Sequence, residues 1–216
     1  RIERVLLDNV SVRGKHTGGL VGKALGLIEE VGIRGLSINA PSNDPSYGHV
    51  GGLVGWLSGP QGNGIIRRSF VSGSITAQNK VGGLVGKLST GASLEDSYAQ
   101  VNVSGSSLVG SLVGSDAPYG SNSNQVRRNY STGSVTYSNG GGGAIGDDET
   151  VSPQTIFENN YYDNVTDTSV NNYPKATPAT TAQLQQTQDN TTAIFSGWDF
   201  VNVWDPMTLC EYPRLR

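Results

Sequence analysis

The chain has 216 residues, of which 30 are glycine and only 15% are charged, and its formal net charge is -3. Glycine and β-branched residues disfavour helices, so this composition indicates strands and turns rather than a helical enzyme. Because neutralising phosphates requires clustered lysine and arginine, the charge gives no reason to expect nucleic acid or an anionic membrane as a partner.

The single cysteine, Cys210, excludes an intrachain disulfide and a thiolate metal cluster. We interpret it as a small apolar residue rather than a reactive thiol. No run approaches the roughly 18 apolar residues of a membrane span, and no signal peptide opens the sequence. Residues Arg1 to Leu6 are typical of a strand interior, so we expect a processed chain or a fragment of a longer protein.

A first repeated element begins at an apolar anchor residue and contains a strand and a turn. Its clearest copies are residues 66–75 and 126–135. The anchors are Ile2, Ile28, Ile66, Leu94, Val126 and Phe157. Each element is followed by glycine-containing turns, so a repeat holds two or three short strands.

A glycine-rich pentapeptide follows each of the first five anchors, at a period of roughly 30 residues that is typical of stacked repeats. The close copies are Gly18-Gly19-Leu20-Val21-Gly22, Gly51-Gly52-Leu53-Val54-Gly55 and Gly82-Gly83-Leu84-Val85-Gly86, and the divergent ones are Gly110-Ser111-Leu112-Val113-Gly114 and Gly142-Gly143-Ala144-Ile145-Gly146. We expect the Leu-Val pairs to fill the interior of a solenoid. The flanking glycines should permit positive φ at a tight corner where the backbones of neighbouring coils are in close contact.

These features predict an all-β parallel β-helix (β-solenoid) of about five coils with an irregular aromatic-rich C-terminal cap. The general bias of parallel crossovers predicts that it is right-handed. Glycine every few residues argues against helical repeats, and a propeller blade needs a longer period. Residues at equal positions should then stack about 4.8 Å apart. The fourth position after the anchor holds Phe70, Tyr98, Tyr130 and Tyr161, and the third holds Ser69, Ser97, Asn129 and Asn160.

The first and second positions after the anchor carry charges that largely alternate in sign between repeats. The first holds Glu3, Glu29, Arg67, Glu95, Arg127 and Glu158, and the second holds Arg4, Glu30, Arg68, Asp96, Arg128 and Asn159. Opposite charges on neighbouring strands are stabilising, so this alternation favours parallel stacking in that register. A bend or bulge is required between the anchor and the fourth position.

Three parts are predicted: solenoid repeats at 1–162, a Thr/Asn/Gln-rich loop or linker at 163–193, and an aromatic capping segment at 194–216. The linker contains one predicted helical turn, at residues 182–187, N-capped by Thr181. The last segment concentrates aromatic side chains that would close the open end of a solenoid. Its alternative role is a sugar-binding platform, with Trp198, Trp204 and Tyr212 as the candidate ligand surface.

The pentapeptides, together with the Ile-x-x-Ser-Tyr/Phe-x-x-Gly-x-Val element before them, resemble the GLUG motif repeat over residues 2–162. The divergent copies depart from it at Ser111 and at Ala144-Ile145. The tail also resembles the one that often closes such arrays. GLUG repeats occur in large bacterial adhesins and haemagglutinin-like surface proteins, and beside the catalytic domain of immunoglobulin A-cleaving metallopeptidases. The resemblance implies a secreted or cell-surface location and carries over no catalytic residue.

Residues with catalytic or metal-binding chemistry are few. His16 and His49 lie in loops and could meet across adjacent coils, but we interpret them as solvated residues. The run Asp147-Asp148-Glu149 offers oxygen ligands to calcium, yet its spacing matches no calcium-binding loop. No cofactor is therefore expected, with calcium kept as the alternative. The carboxylates that could serve a polysaccharide lyase or hydrolase, Glu29, Glu30, Glu95 and Asp96, alternate with arginines and are predicted to be charge-paired.

The sequence thus favours a non-catalytic adhesin or spacer module that attaches to a host or matrix glycan or protein. Three alternatives stay open: a carbohydrate-binding or polysaccharide-degrading β-helix, a subunit that self-associates into fibres, and an accessory module of a surface peptidase. Neither nucleic acid nor membrane insertion is expected.

Overall fold

The computed structural model describes residues 1–14, 16–40, 48–60, 63–119, 122–148, 155–167, 172–185, 193–205 and 211–216. Within these residues the chain is mostly β-structure. The strands in chain order are β1 (Ile2–Asp8), β2 (Ser11–Val12), β3 (Thr17–Gly18), β4 (Val21–Ala24), β5 (Leu27–Ala40), β6 (Val50–Gly51), β7 (Val54–Ser58), β8 (Ile65–Arg67), β9 (Phe70–Ala77), β10 (Asn79–Gly82), β11 (Val85–Ser89), β12 (Ser93–Glu95), β13 (Tyr98–Gly110), β14 (Val113–Ala117), β15 (Gln125–Arg127), β16 (Tyr130–Thr132), β17 (Val135–Gly141), β18 (Ile145–Asp148), β19 (Ile156–Glu158), β20 (Tyr161–Asp163), β21 (Thr177–Ala179), β22 (Trp204–Asp205) and β23 (Arg214–Leu215). The helical elements are α1 (Thr181–Leu184) and a 3₁₀ turn at Ala193–Phe195.

These strands form three sheets. Sixteen strands belong to one large sheet, β4, β7, β11, β14 and β18 form a sheet of five, and β22 pairs with β23 in an antiparallel ribbon. Every other strand pair in the described part of the chain is parallel. The predicted all-β, parallel architecture is confirmed, and the pairing is consistent with a β-helix.

The register between repeats is the one that the sequence columns predict. Each anchor lies opposite the anchor of the next repeat, from Ile2 through to Phe157. The first charged column stays in step with it, since Glu29 lies opposite Arg67 and Arg67 opposite Glu95. Identical positions of successive repeats are therefore nearest neighbours in space.

The bend required after the anchor is a residue in the left-handed region, and it recurs in every repeat. All six members of the second column have φ between 45° and 54°, and none is glycine: Arg4, Glu30, Arg68, Asp96, Arg128 and Asn159. This conformation costs a non-glycine residue on the order of 1 kcal/mol or more. It interrupts the two-residue alternation, so the fourth position faces away from the anchor's side of the sheet.

The third column satisfies backbone groups at this bend. The side-chain oxygen of each polar residue in this column accepts a hydrogen bond from the backbone N–H of the third-position residue in the repeat before it. Ser69 accepts from Val31 at 3.2 Å, Ser97 from Ser69 at 3.1 Å, and Asn129 from Ser97 at 3.0 Å. Asn160 accepts in the same way from Asn129. The ladder therefore replaces the strand hydrogen bonds that the bend removes.

The Leu-Val pairs lie in the main hydrophobic core. Val21, Val54, Val85, Val113 and Ile145 are in register in the second sheet. Both members of the pair are fully buried in the repeats that begin at Gly51, Gly82 and Gly110, whereas Leu20 and Val21 of the first repeat are only partly buried. The prediction that the pairs fill the interior holds. Both side chains of a pair contribute because the leucine lies in the bend between two strands and the valine begins the second strand.

The pentapeptide glycines allow the backbones of stacked repeats to come close together, and they do not adopt positive φ. A Cβ on Gly83 would lie 1.9 Å from the carbonyl oxygen of Ser111, and one on Gly52 2.0 Å from that of Gly83. The described glycines with positive φ all lie outside the pentapeptides: Gly35, Gly73, Gly91, Gly133, Gly140 and Gly197. The expectation of positive φ is therefore wrong. The constraint is the small distance between stacked backbones, which leaves no room for a side chain.

The predicted linker 163–193 contains regular structure where it is described. Strand β21 pairs with β20, so the sheet continues beyond the last anchor repeat. The helical turn begins one residue earlier than predicted, and its N-cap is Thr180 in a capping box with Gln183. Residues 186 and 187 of the predicted turn lie outside the described residues.

Candidate functional site

The candidate catalytic carboxylates form ion pairs with arginines of the neighbouring repeat. Glu29, which is buried, pairs with Arg67 at 2.8 Å and also with Arg68. The hydrogen bond from Arg67 and the charges of the nearby guanidinium groups hold the pKa of Glu29 below its usual range, although burial opposes them. A carboxylate held ionised in this way is a poor general acid.

The other three carboxylates are paired in the same manner. Glu30 accepts from Arg4 and Arg68, each at 3.2 Å. Glu95 and Asp96 both bond to Arg128, at 3.4 Å and 2.7 Å. The hydrogen bond with Asp96 raises the pKa of Arg128 above its ordinary value. The predicted charge pairing of these columns is thus confirmed.

The fourth-position residues, here called the aromatic column, are Phe70, Tyr98, Tyr130 and Tyr161. The first two rings stack with centroids 5.1 Å apart, and the next pair stacks at the same distance. Tyr161 follows in backbone register with Tyr130, and its ring contacts Phe195 at 5.6 Å. The column forms a second hydrophobic cluster outside the main core.

The aromatic segment 194–216, here called the C-terminal segment, packs along the side of this column. The ring of Trp204 lies 6.2 Å from Tyr98 and 5.9 Å from Tyr130. Trp198 stacks on Trp204 at 4.4 Å and donates its indole N–H to the Asn159 carbonyl. Contacts with several repeats place the segment over the flank of the sheet, while the strand that pairs with β20 comes from the predicted linker.

The candidate ligand surface of Trp198, Trp204 and Tyr212 is buried or partly buried in this contact. Trp204 has no exposed surface and Trp198 is 7% exposed. The hydroxyl of Tyr212 donates to Asp163 at 2.6 Å. Burial, together with this hydrogen bond, raises the pKa of Tyr212 to about 12. The two tryptophan rings would meet a ligand only if the segment moved away from the column.

Asp163 joins the linker to the C-terminal segment, a role that the sequence did not suggest. Its buried carboxylate accepts hydrogen bonds from the backbone N–H groups of Val165 and Thr166 and from the hydroxyls of Thr181 and Tyr212. The sequence signal that could have revealed this role is the position of Asp163 directly after Tyr161 and Tyr162, at the end of a strand, where aspartate often accepts hydrogen bonds from the following backbone.

The two histidines meet across adjacent repeats, as predicted. Their rings are 5.3 Å apart, and His49 also contacts Trp56 at 5.6 Å. His49 is buried and not solvated, because parallel pairing of β3 with β6 places it beside His16 and its ring also packs against Trp56. Burial, reinforced by the charges of Lys80 and Lys87, lowers the pKa of His49 to about 4. The expectation of a solvated residue is thus wrong for His49.

Metal-binding chemistry is not assembled in the part of the chain that the structure describes. No three His, Cys, Asp or Glu residues are placed there to hold an ion. The calcium alternative involves Glu149, which lies outside the described residues, as does Cys210. None of the described helices is long and apolar enough to cross a bilayer.

A cavity of about 240 Å³ lies between the first three repeats and the end of the C-terminal segment. Its lining includes Leu6, Gly32 and Phe70, which occupy one column of the sheet. The cavity was not predicted. Extending the aromatic column back by two repeats, to Gly32 and Leu6, would have shown a position without a side chain next to the last ring.

A family model described as the GLUG motif matches residues 78–104. The chain carries the GLUG motif. The matched GLUG residues run from β10 through β11 and β12 into β13, so the motif corresponds to the pentapeptide of one repeat and the anchor element of the next. The remaining pentapeptides continue in register on both sides of it. The motif is therefore a description of the structural repeat itself.

The chain is similar to short parts of much longer proteins. Over 120 residues, 53% of this chain, the sequence is 32% identical to the immunoglobulin A1 protease of Streptococcus pneumoniae and to that of Streptococcus sanguinis. Over 144 residues, 64% of this chain, it is 32% identical to a putative Gly-rich membrane protein of Evansella cellulosilytica. The matches span only 6% and 12% of those relatives. No solved structure matches the chain.

Proposed function

We propose that the chain is a non-catalytic module of a secreted or cell-surface protein, and that it presents a stiff, extended surface for attachment to a cell or matrix. The observation that supports this most directly is the pairing of Glu29, Glu30, Glu95 and Asp96 with arginines of neighbouring repeats. The carboxylates available for glycoside chemistry are thereby engaged in holding repeats together. The partner is a host or matrix glycan or protein.

The proposal includes a parallel β-helix of about five coils, right-handed in accordance with the general bias of parallel crossovers. Consecutive repeats stacked about 4.8 Å apart produce a rod whose length grows with repeat number. No cofactor takes part in it. An experimental structure of the chain tests both coil count and hand, and a left-handed winding would contradict this part of the proposal.

Binding and turnover assays on the intact chain test the attachment function. The immobilised protein should retain one or more glycans or matrix proteins and should release no product from uronate polymers. The variants Glu95→Gln and Asp96→Asn should bind as the unaltered chain does, since these carboxylates contact arginines and not the partner. Polysaccharide cleavage that either substitution abolishes would establish an enzyme instead.

A second candidate function is an accessory module of a surface peptidase. The similarity of 120 residues to part of an immunoglobulin A1 protease favours it. Such a module would hold the peptidase at its substrate or at the cell surface. The accessory function predicts that the isolated chain binds immunoglobulin A1 without cleaving it. The adhesin function predicts that the chain binds neither this antibody nor an unrelated one.

Self-association is the remaining alternative for the partner. Strand β1 pairs with β5 on one side, and among the described strands it has no second neighbour. Exposed strand edges of this kind are templates for pairing with another chain. Fibres seen by electron microscopy at micromolar protein concentration would support it, and a monodisperse monomer would favour attachment.

A further inference from the structure

The cavity between the first repeats and the C-terminal segment combines an apolar floor with a cationic rim. We call it the Arg34 cavity. Its floor includes Leu6, Gly32 and Phe70, and its rim includes Arg34, Arg68 and Arg216. At about 240 Å³ it is smaller than the roughly 300 to 1,000 Å³ of pockets for drug-sized ligands. It is therefore sized for a single sugar residue.

The floor exists because the aromatic column stops at Phe70. One face of this ring stacks on Tyr98. The next position in register is Gly32, and the one after it is Leu6. A Cβ on Gly32 would lie 2.5 Å from two carbons of the Phe70 ring, so the ring lies against bare backbone there. The half-buried end of the column is thus turned toward the cavity.

The rim carries more positive charge than the carboxylate of Glu30 in the cavity lining can neutralise. Glu30 is the acidic residue of the lining, and it is shared between Arg4 and Arg68. Arg34 lies opposite Asp8 across β1 and β5, yet among the described residues it forms no ion pair. Its guanidinium carbon is 5.9 Å from the centre of the Phe70 ring.

Arg216 supplies a second guanidinium, and it forms no ion pair within the described residues. It donates to the backbone carbonyls of Trp204 and Phe200, at 3.1 Å and 3.2 Å. These bonds orient the group at the rim, where its charge also acts on the Asp199 carboxylate. Two such guanidinium groups beside an apolar floor are complementary to a ligand with one anionic group and one apolar face.

We propose that the Arg34 cavity binds a carboxylate-bearing sugar residue, such as a uronic or sialic acid, at the end of or within a glycan. The guanidinium of Arg34 receives the carboxylate in a bidentate contact, because the planar fork matches carboxylate geometry. The Phe70 ring edge and Leu6 receive the C–H face of the sugar. This inference rests on the proposed attachment function and names the ligand class of that function.

Titration of the intact chain with defined oligosaccharides, followed by NMR or calorimetry, tests the inference. The acidic probes are 3′-sialyllactose and a hyaluronan tetrasaccharide, and lactose is the neutral counterpart of the first. At least one acidic probe should bind at least tenfold more tightly than lactose. Equal binding of lactose, no binding of either acidic probe, or tighter binding of an acidic peptide would overturn the proposed ligand class.

The substitution Arg34→Gln assigns the site. It should weaken binding of the acidic probe at least tenfold, with Arg34→Lys intermediate because lysine keeps the charge and loses the fork. Arg13→Gln is the matched control, since Arg13 is exposed on the first repeat and does not line the cavity. It should change the affinity less than twofold. Unchanged melting temperatures of all three variants would exclude a folding effect.

The outcomes separate this inference from the attachment function. If Arg34→Gln binds the acidic probe as well as the unaltered chain does, the site is elsewhere and the inference fails, while attachment stands. If the chain retains matrix proteins or neutral glycans but no acidic probe, the ligand class alone is wrong. If it retains nothing from any panel, the attachment function fails with it.

Discussion

The hydroxyl of Tyr130 donates a hydrogen bond to the backbone carbonyl oxygen of Pro213, 2.7 Å away and 83 residues later in the chain. Both residues are buried. The bond joins the middle of the aromatic column to the last described part of the C-terminal segment. Because a buried phenol must find a partner, this contact ties the position of the segment to one ring of the column. Burial also raises the pKa of Tyr130 well above its ordinary value.

Replacing Tyr130 by phenylalanine should lower the free energy of unfolding by about 1 to 3 kcal/mol, since the buried Pro213 carbonyl is left without its donor. Urea unfolding followed by tryptophan fluorescence measures this. Tyr119→Phe serves as the control, because Tyr119 is 47% exposed and loss of its hydroxyl should change stability by less than about 0.5 kcal/mol. Equal effects at the two positions would contradict the role given to the bond.

Gly83→Ala should prevent the chain from folding. The added Cβ would lie 1.9 Å from the Ser111 carbonyl oxygen, and the stacked backbones cannot separate at one repeat alone. Gly26→Ala is the matched control, since a Cβ there meets nothing within 4 Å. It should leave stability within about 0.5 kcal/mol of the unaltered chain. Circular dichroism and soluble yield report both, and a folded Gly83→Ala protein would refute the close-contact account.

Acidification should destabilise the protein through His49. Its pKa is about 4 in the folded state and about 6.5 in an unfolded chain. Between these values the unfolded state binds more protons, so stability is full above pH 6.5 and falls as the pH drops toward 4. The loss attributable to this residue is on the order of 3 kcal/mol.

Thermal unfolding across pH 4 to 7 measures this loss, with His49→Phe as the comparison. The phenylalanine variant keeps a ring against Trp56 but cannot titrate, so its stability should fall less over the same range. Glu29 loses its ion pairs at lower pH, because its folded pKa is already depressed. Parallel pH profiles for the two proteins would exclude His49 as the source.

Deleting the chain from Ile194 onward should uncover the aromatic column and cause self-association. The buried rings of Tyr98 and Tyr130 would lose Trp198 and Trp204, leaving a contiguous apolar patch of the kind that promotes aggregation. Light scattering of the truncated protein checks this. A monodisperse, folded monomer would show that the C-terminal segment is not needed to cover the column.

The repeat register was accessible from the sequence because stacking is periodic. Residues at equal positions of successive parallel repeats lie about one strand spacing apart. Aligning the repeats therefore predicts which residues of the anchors, the charged columns and the polar ladder are adjacent. The need for a bend followed from the same alignment. Its conformation did not, since arginine and glutamate, which fill four of the six positions in the second column, are not residues that signal positive φ.

The non-periodic contacts were decided only by the tertiary structure. Pro213 meets Tyr130, and Arg216 reaches the first repeats, through contacts that occur once and leave no repeating signal in the sequence. The burial of His49 likewise depends on how one loop lies over the next. The sequence by itself determined which residues stack, because repetition enforces it. The tertiary structure decided what covers that stack and which side chains it leaves open, because those outcomes depend on long-range packing of unique segments.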